Sequence, residues 1–86
     1  MTIALTPNVT ATDSEDGLVL LNESTGRYWT LNGTGAATLR LLLAGNSPAQ
    51  TASRLAERYP DAVDRTQRDV VALLAALRNA RLVTSS

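Results

Sequence analysis

The chain has no cysteine and no histidine in its 86 residues. Without them there is no disulfide framework, no thiolate or imidazole metal site, no Cys-His pair and no Ser-His-Asp triad. Lysine is missing as well: arginine supplies all eight basic residues, against eight carboxylates, for a formal net charge of zero. A nucleic-acid binder usually concentrates a basic excess on one face, so no nucleic-acid partner is expected. Long apolar runs are also absent. None approaches the roughly 20 residues needed to cross a bilayer, and Met1 to Leu5 has neither a basic n-region nor a long h-region. A cytoplasmic protein with no membrane partner is expected.

The carboxylates are scattered over turns and helix starts, with Asp13, Glu15 and Asp16 in one turn and Asp61 and Asp64 in another. The first group lacks the oxygen-ligand spacing of an EF-hand loop, and nothing sets up a paired-carboxylate acid and base. The expectation is therefore a protein that is not an enzyme and holds no cofactor or metal. With 44% apolar residues, residues 1–86 make a single domain, of a size that buries about 60–65% of its unfolded surface.

What the chain does have is concentrated between Gly26 and Gly35, which holds its one tryptophan and one of its two tyrosines. Arg27 to Leu31 reads as a strand. Side chains alternate along a strand, so Trp29 and Leu31 share one face and Tyr28 and Thr30 the other. Trp29 and Leu31 are the better core candidates, which leaves Tyr28 partly exposed. Asn32-Gly33-Thr34-Gly35 stops the strand, and either Asn32 or Thr34 can cap the helix that follows.

Upstream, residues 1–8 are a mixed lead-in ending in the turn signal Pro7-Asn8. Val9 to Thr12 and Leu18 to Leu21 are two short strands joined through a polar turn at residues 13–17. Asn22 to Gly26 makes the next turn. Downstream, Ala36 to Ala44 is a helix with Leu39, Leu42 and Leu43 inward and Gly45 at its left-handed end. Ser47, Pro48 and Gln50 form a capping-box start for a second helix running to about Arg58. That helix buries Ala52, Leu55 and Tyr59 and is stopped by Pro60. Asp64 and Gln67 repeat the cap pattern for a third helix, from about Arg65 to Arg81, whose stripe is Val70, Leu74 and Leu77 with Leu73 beside it. Leu82-Val83 is an extended tail able to pack back on the sheet. The fold class expected is α+β and winged helix-turn-helix-like: an N-terminal three-stranded antiparallel sheet followed by a three-helix bundle.

The run Gly26-x-Tyr28-Trp29-x-Leu31-Asn32-x-Thr34-Gly35, followed by Asp69-Val70 with Leu74, Leu77, Leu82 and Val83, resembles the PqqD-like family, the RiPP precursor-peptide recognition elements. Within that family the resemblance is to the free-standing recognition proteins of lasso-peptide biosynthesis, which work beside a separate cysteine leader peptidase. It covers nearly the whole chain from Val9. One departure is Arg81, where many members carry a glycine. The resemblance implies non-catalytic binding of a precursor's leader peptide, laid as an added strand on the third strand and gripped by the third helix. On that reading the leader-binding residues are Arg27, Tyr28, Trp29, Thr30 and Leu31 of the strand, with Arg68, Asp69, Ala72, Leu73 and Ala76 of the helix.

The physics is independent of the resemblance. An edge strand offers unpaired N–H and C=O groups that an extended peptide satisfies while its alternate side chains enter pockets. Small residues (Ala72, Ala75, Ala76) leave a groove beside the strand, rimmed by Arg68, Asp69, Arg78 and Asn79. Residues 64–81 carry four arginines against two aspartates, which favours an acidic peptide, chiefly through on-rate and register. The bland reading gives Asp69, Arg68 and Arg78 to solvent and the alanines to helix propensity. A different class of function, a winged-helix DNA binder using Arg65, Gln67, Arg68 and Asn79 on the third helix, is the alternative, and the neutral charge argues against it.

Overall fold

The computed structural model describes residues 2–85, except for the side chains of residues 62–64. The lead-in is more than a lead-in. Ile3–Leu5 is a strand, β1, and it pairs antiparallel with the strand at the other end of the chain, Val83–Ser85. After β1, Thr6 to Val9 forms a tight turn, with Val9 N–H donating to Thr6 C=O at 3.0 Å and Asn8 at φ 73°. Proline at the second position and a positive φ at the third mark a type II turn.

Three strands follow: β2 (Val9–Ser14), β3 (Gly17–Asn22) and β4 (Tyr28–Asn32), in the order β2-β3-β4. Glu15-Asp16 is a two-residue loop, tighter than the five-residue turn expected, with Ser14 opposite Gly17. The second turn closes as its residues predict. Asn22 Oδ1 accepts from Ser24 N–H at 2.9 Å, Gly26 takes φ 75°, and Gly26 N–H donates to Asn22 C=O at 2.8 Å. The register sets Leu18 opposite Leu31 and Leu20 opposite Trp29 on one face, and Val19 opposite Thr30 and Leu21 opposite Tyr28 on the other.

Asn32, not Thr34, caps α1 (Gly33–Leu43), its Oδ1 accepting from Gly35 N–H at 2.8 Å. The helix ends at Gly45, φ 105°, with Asn46 N–H reaching Leu41 C=O and Gly45 N–H reaching Leu42 C=O, a Schellman closure. The Ser47/Gln50 capping box opens α2 (Pro48–Arg58) as expected. A 3-10 turn over Pro60–Ala62 leads into α3 (Val63–Asn79), so the third helix starts before the expected cap, Asp64, whose side chain lies outside the described residues. The tail does not return to the three-stranded sheet: Val83–Ser85, β5, forms a separate two-stranded sheet with β1. Among the described residues the architecture is α+β with three helices and two antiparallel sheets, in place of one sheet followed by helices.

Local sequence could not show that pairing, because the two partners lie about eighty residues apart. Its consequence for packing is large. Ile3, Leu82 and Val83 join Leu18, Leu20, Leu39, Leu42, Leu74 and Leu77 in the main core cluster, and Trp29, Leu31 and Leu73 lie on its edge. The stripe of α3 is split: Val70 packs instead in a smaller cluster with Ala52 and Leu55 of α2. Among the described residues no helix is long and apolar enough to cross a membrane.

The end of α3 explains the departure at Arg81. Leu82 N–H donates to Leu77 C=O at 2.9 Å and Arg81 N–H to Arg78 C=O at 3.0 Å, again a Schellman closure, which leaves Arg81 at φ 59°. A side chain in the left-handed region costs about 1–2 kcal/mol, while glycine loses about 0.5–1 kcal/mol more backbone entropy on folding. Arg81→Gly is therefore expected to stabilise the protein by up to about 1 kcal/mol, a rise in Tm of a few degrees, roughly 4–8 °C per kcal/mol at this size. A thermal melt followed by circular dichroism measures it.

Candidate functional site

The strand order ends at β4, so among the described residues one edge of β4 has no strand partner. Which groups it presents follows from the ladder. Asn22 N–H donates to Arg27 C=O at 2.9 Å, which makes that pair a hydrogen-bonded one. Antiparallel pairs alternate between hydrogen-bonded and non-hydrogen-bonded, so Trp29 and Leu31 also turn their backbone groups toward β3. Tyr28 and Thr30 turn theirs outward. The free edge thus offers two N–H donors and two C=O acceptors to an extended chain.

The side chains of β4 divide as the alternation requires. Trp29 and Leu31 are half-buried on the core face. Arg27 is exposed and sets its guanidinium 5.9 Å from the centre of the Trp29 ring, within range of a cation–π contact. Thr30 is exposed, and Tyr28 is 68% exposed.

Where β4 runs into α1, a cleft of about 420 Å³ opens between the corner, the end of α2 and the first half of α3. The corner contributes Asn32, Thr34, Gly35 and Thr38; α2 and the residue after it contribute Leu55 and Tyr59; α3 contributes Arg65, Thr66, Asp69, Val70 and Leu73. The helix spacing accounts for the last group, since residues 66, 69, 70 and 73 share one face. Leu55, Val70 and Leu73 give the cleft an apolar lining, while Arg65, Asp69 and Tyr59 give it charge and a hydroxyl. Among the described residues neither Arg65 nor Asp69 has an ion-pair partner. Inside the corner, Thr38 Oγ1 donates to Thr34 C=O at 2.8 Å.

The expected site residues are only partly brought together. Arg27, Tyr28, Trp29, Thr30 and Leu31 are consecutive on or beside β4, and Asp69 and Leu73 line the cleft at its end. Ala76 is exposed and lies about one turn beyond Leu73 on the same flank of α3. Arg68 and Ala72 do not line the cleft. A helix turns about 100° per residue, and these two, with Gln67 and Val71, line a separate shallow depression. Arg68, Ala72 and Ala76 follow one another at i, i+4 along one stripe of α3, and the cleft takes the adjoining stripe of Asp69 and Leu73.

Sequence reasoning missed Asn32, Thr34, Tyr59 and Arg65 as lining residues. Asn32 and Thr34 were absorbed by the need for a cap. Tyr59 was assigned to the core, yet it is 39% exposed. The signal for Tyr59 was Pro60, which ends α2 and leaves the residue before it outside the helical pattern.

Residues 17–83 match the family model described as coenzyme PQQ synthesis protein D (PqqD). The chain belongs to that family, and the resemblance to PqqD-like RiPP recognition elements is borne out. Among solved structures, lasso peptide synthetase B1 complexed with the leader peptide is 32% identical over 99% of this chain and 100% of that one, with a TM-score of 0.90. TbiB1 in complex with the TbiA(beta) leader peptide is 28% identical over 100% of this chain and 98% of that one, with a TM-score of 0.83. No curated protein sequence matches.

Proposed function

We propose that this protein binds the leader of a ribosomally made precursor, of the lasso-peptide class, by adding it as a strand to β4. The observation that carries the reading is the open edge at Tyr28 and Thr30, ending at a cleft into which α3 projects Asp69 and Leu73. The two similar structures, each holding a leader peptide, support it. Backbone pairing supplies affinity for any extended peptide, and the cleft selects among side chains. Arg27, Trp29 and Leu31 support the strand from the core side, and Ala76 leaves room along α3. Arg68 and Ala72, on the adjoining stripe of the helix, are assigned the outer rim.

The domain does no chemistry on what it binds. A Cys-His or Ser-His-Asp site for cleaving a leader needs residues that these 86 lack, since they hold neither cysteine nor histidine. A separate cysteine peptidase acting in the cytoplasm on the presented precursor supplies that step. The DNA-binding alternative gains nothing from the fold, because the formal charge stays at zero and phosphate contacts dominate such affinity.

The test is titration of the 15N-labelled protein with the synthetic leader of its cognate precursor. Amide signals of Tyr28, Thr30, Asp69 and Leu73 are expected to shift, and those of β2 to stay. Spectra unchanged at roughly 100 μM peptide, where even a weak complex is populated, overturn the proposal.

A further inference from the structure

The outward face of the three-stranded sheet is unusual for a surface open to solvent. Its positions are Thr10, Thr12 and Ser14 on β2, Gly17, Val19 and Leu21 on β3, and Tyr28, Thr30 and Asn32 on β4. None is charged, in a chain where 16 of 86 residues are. The face is also asymmetric. Its β2 side is threonine and serine, while the exposed large apolar side chains, Leu21 at 37% and Tyr28 at 68%, lie opposite one another toward the open edge. Their pair is a non-hydrogen-bonded one, the kind that brings cross-strand side chains closest.

An edge strand exposed to water is normally protected by charge, proline or a bulge, and an apolar rim at the edge does the opposite. The occupant it suits is a strand seated on that edge. A residue paired with Tyr28 or Thr30 projects its side chain to the same face as theirs, and the residues between project to the core face. We infer that the peptide is read on both faces: the residue paired with Tyr28 is apolar, aliphatic or aromatic, and packs on a platform made by Tyr28 and Leu21. This rests on the strand-addition reading and extends it from the cleft to a second specificity surface.

The probe is the same synthetic leader, labelled with fluorescein and carrying an aspartate at one position at a time, with binding followed by anisotropy. Tyr28→Ala is expected to weaken the unsubstituted leader roughly tenfold, the share of a half-buried aromatic contact, and Tyr28→Phe to bind as wild type. Aspartate at the peptide position facing the platform is expected to weaken binding to wild type and to have little further effect on Tyr28→Ala. That coupling is a readout that a structural role for an exposed tyrosine does not move. If Tyr28→Ala binds like wild type while Thr30→Pro does not bind, strand addition stands and the outer platform is overturned. If both variants bind like wild type, the docking edge itself is overturned, and the platform with it.

Discussion

Thr30→Pro is expected to abolish leader binding while the protein stays folded. Proline lacks an N–H and holds φ near −65°, and within a sheet it is tolerated where its N–H side faces solvent on an edge strand. Thr30 is such a place. Its backbone points away from β3, its side chain is exposed, and the preceding residue, Trp29, already has the extended conformation that proline requires. No bond of the β3–β4 ladder is lost, so the stability cost is expected to stay near the roughly 1 kcal/mol span of strand propensity. A peptide seated on the edge loses a donor at its centre and meets a ring where backbone must approach to about 4.8 Å. A carbonyl left unpaired costs about 1–3 kcal/mol, and the steric term adds to it, so a loss of affinity of at least roughly 100-fold follows. The control is one residue away. Trp29 turns its N–H into the ladder, so Trp29→Pro removes a ladder hydrogen bond inside the sheet and is expected to unfold it. Thermal melts and anisotropy on the two variants check the contrast, and leader affinity unchanged in Thr30→Pro overturns the assignment of the edge.

That contrast depends on the phase of one ladder, which shows where sequence reading stopped. Alternation alone placed Trp29 and Leu31 inward and Tyr28 outward, because it needs only neighbouring residues. Two helix ends were equally legible, since Ser47 with Gln50 and Gly45 act on backbone groups within a few residues of themselves, while the cap of α1 stayed open between Asn32 and Thr34. The pairing of β1 with β5 was not legible, since Ile3 becomes core only by meeting Val83 and Leu82 across the whole chain. Nor was the cleft. It is made by residues from α1, α2 and α3, and half of them looked fully explained by local roles. On α3 the difference between Asp69 and Arg68 is a 100° rotation, which no pattern settles until the neighbours of the helix are placed.

Gly17 is the position where local reading was most incomplete, and its replacement carries the second large effect. The sequence offers it as the end of a polar turn. In the fold it begins β3, opposite both Ser14 and Asn32, where a Cβ would lie 1.9 Å from the carbonyl oxygen of Leu31 and 2.8 Å from the carbonyl carbon of Asn32. These atoms are backbone, so no rotamer change relieves the contact. The Leu31–Asn32 peptide is also the one that turns β4 into α1, and pushing it away moves the Asn32 side chain off Gly35 N–H. Gly17→Ala is therefore expected to cost at least the 1–3 kcal/mol of an overpacked core together with the ~1 kcal/mol of a lost cap. For a domain this small the sum lowers Tm by roughly 10 °C or more. Gly33 provides the comparison, since the nearest atom to its added Cβ is Asp16 C=O at 4.0 Å, and Gly33→Ala is expected to melt at or above the wild-type temperature. Because Asn32, Thr34 and Gly35 line the cleft, Gly17→Ala should also weaken leader binding at temperatures where it remains folded. Melting of Gly17→Ala within two degrees or so of wild type would show that the corner can give way at little cost, and the cleft built on it would then be less rigid than its geometry implies.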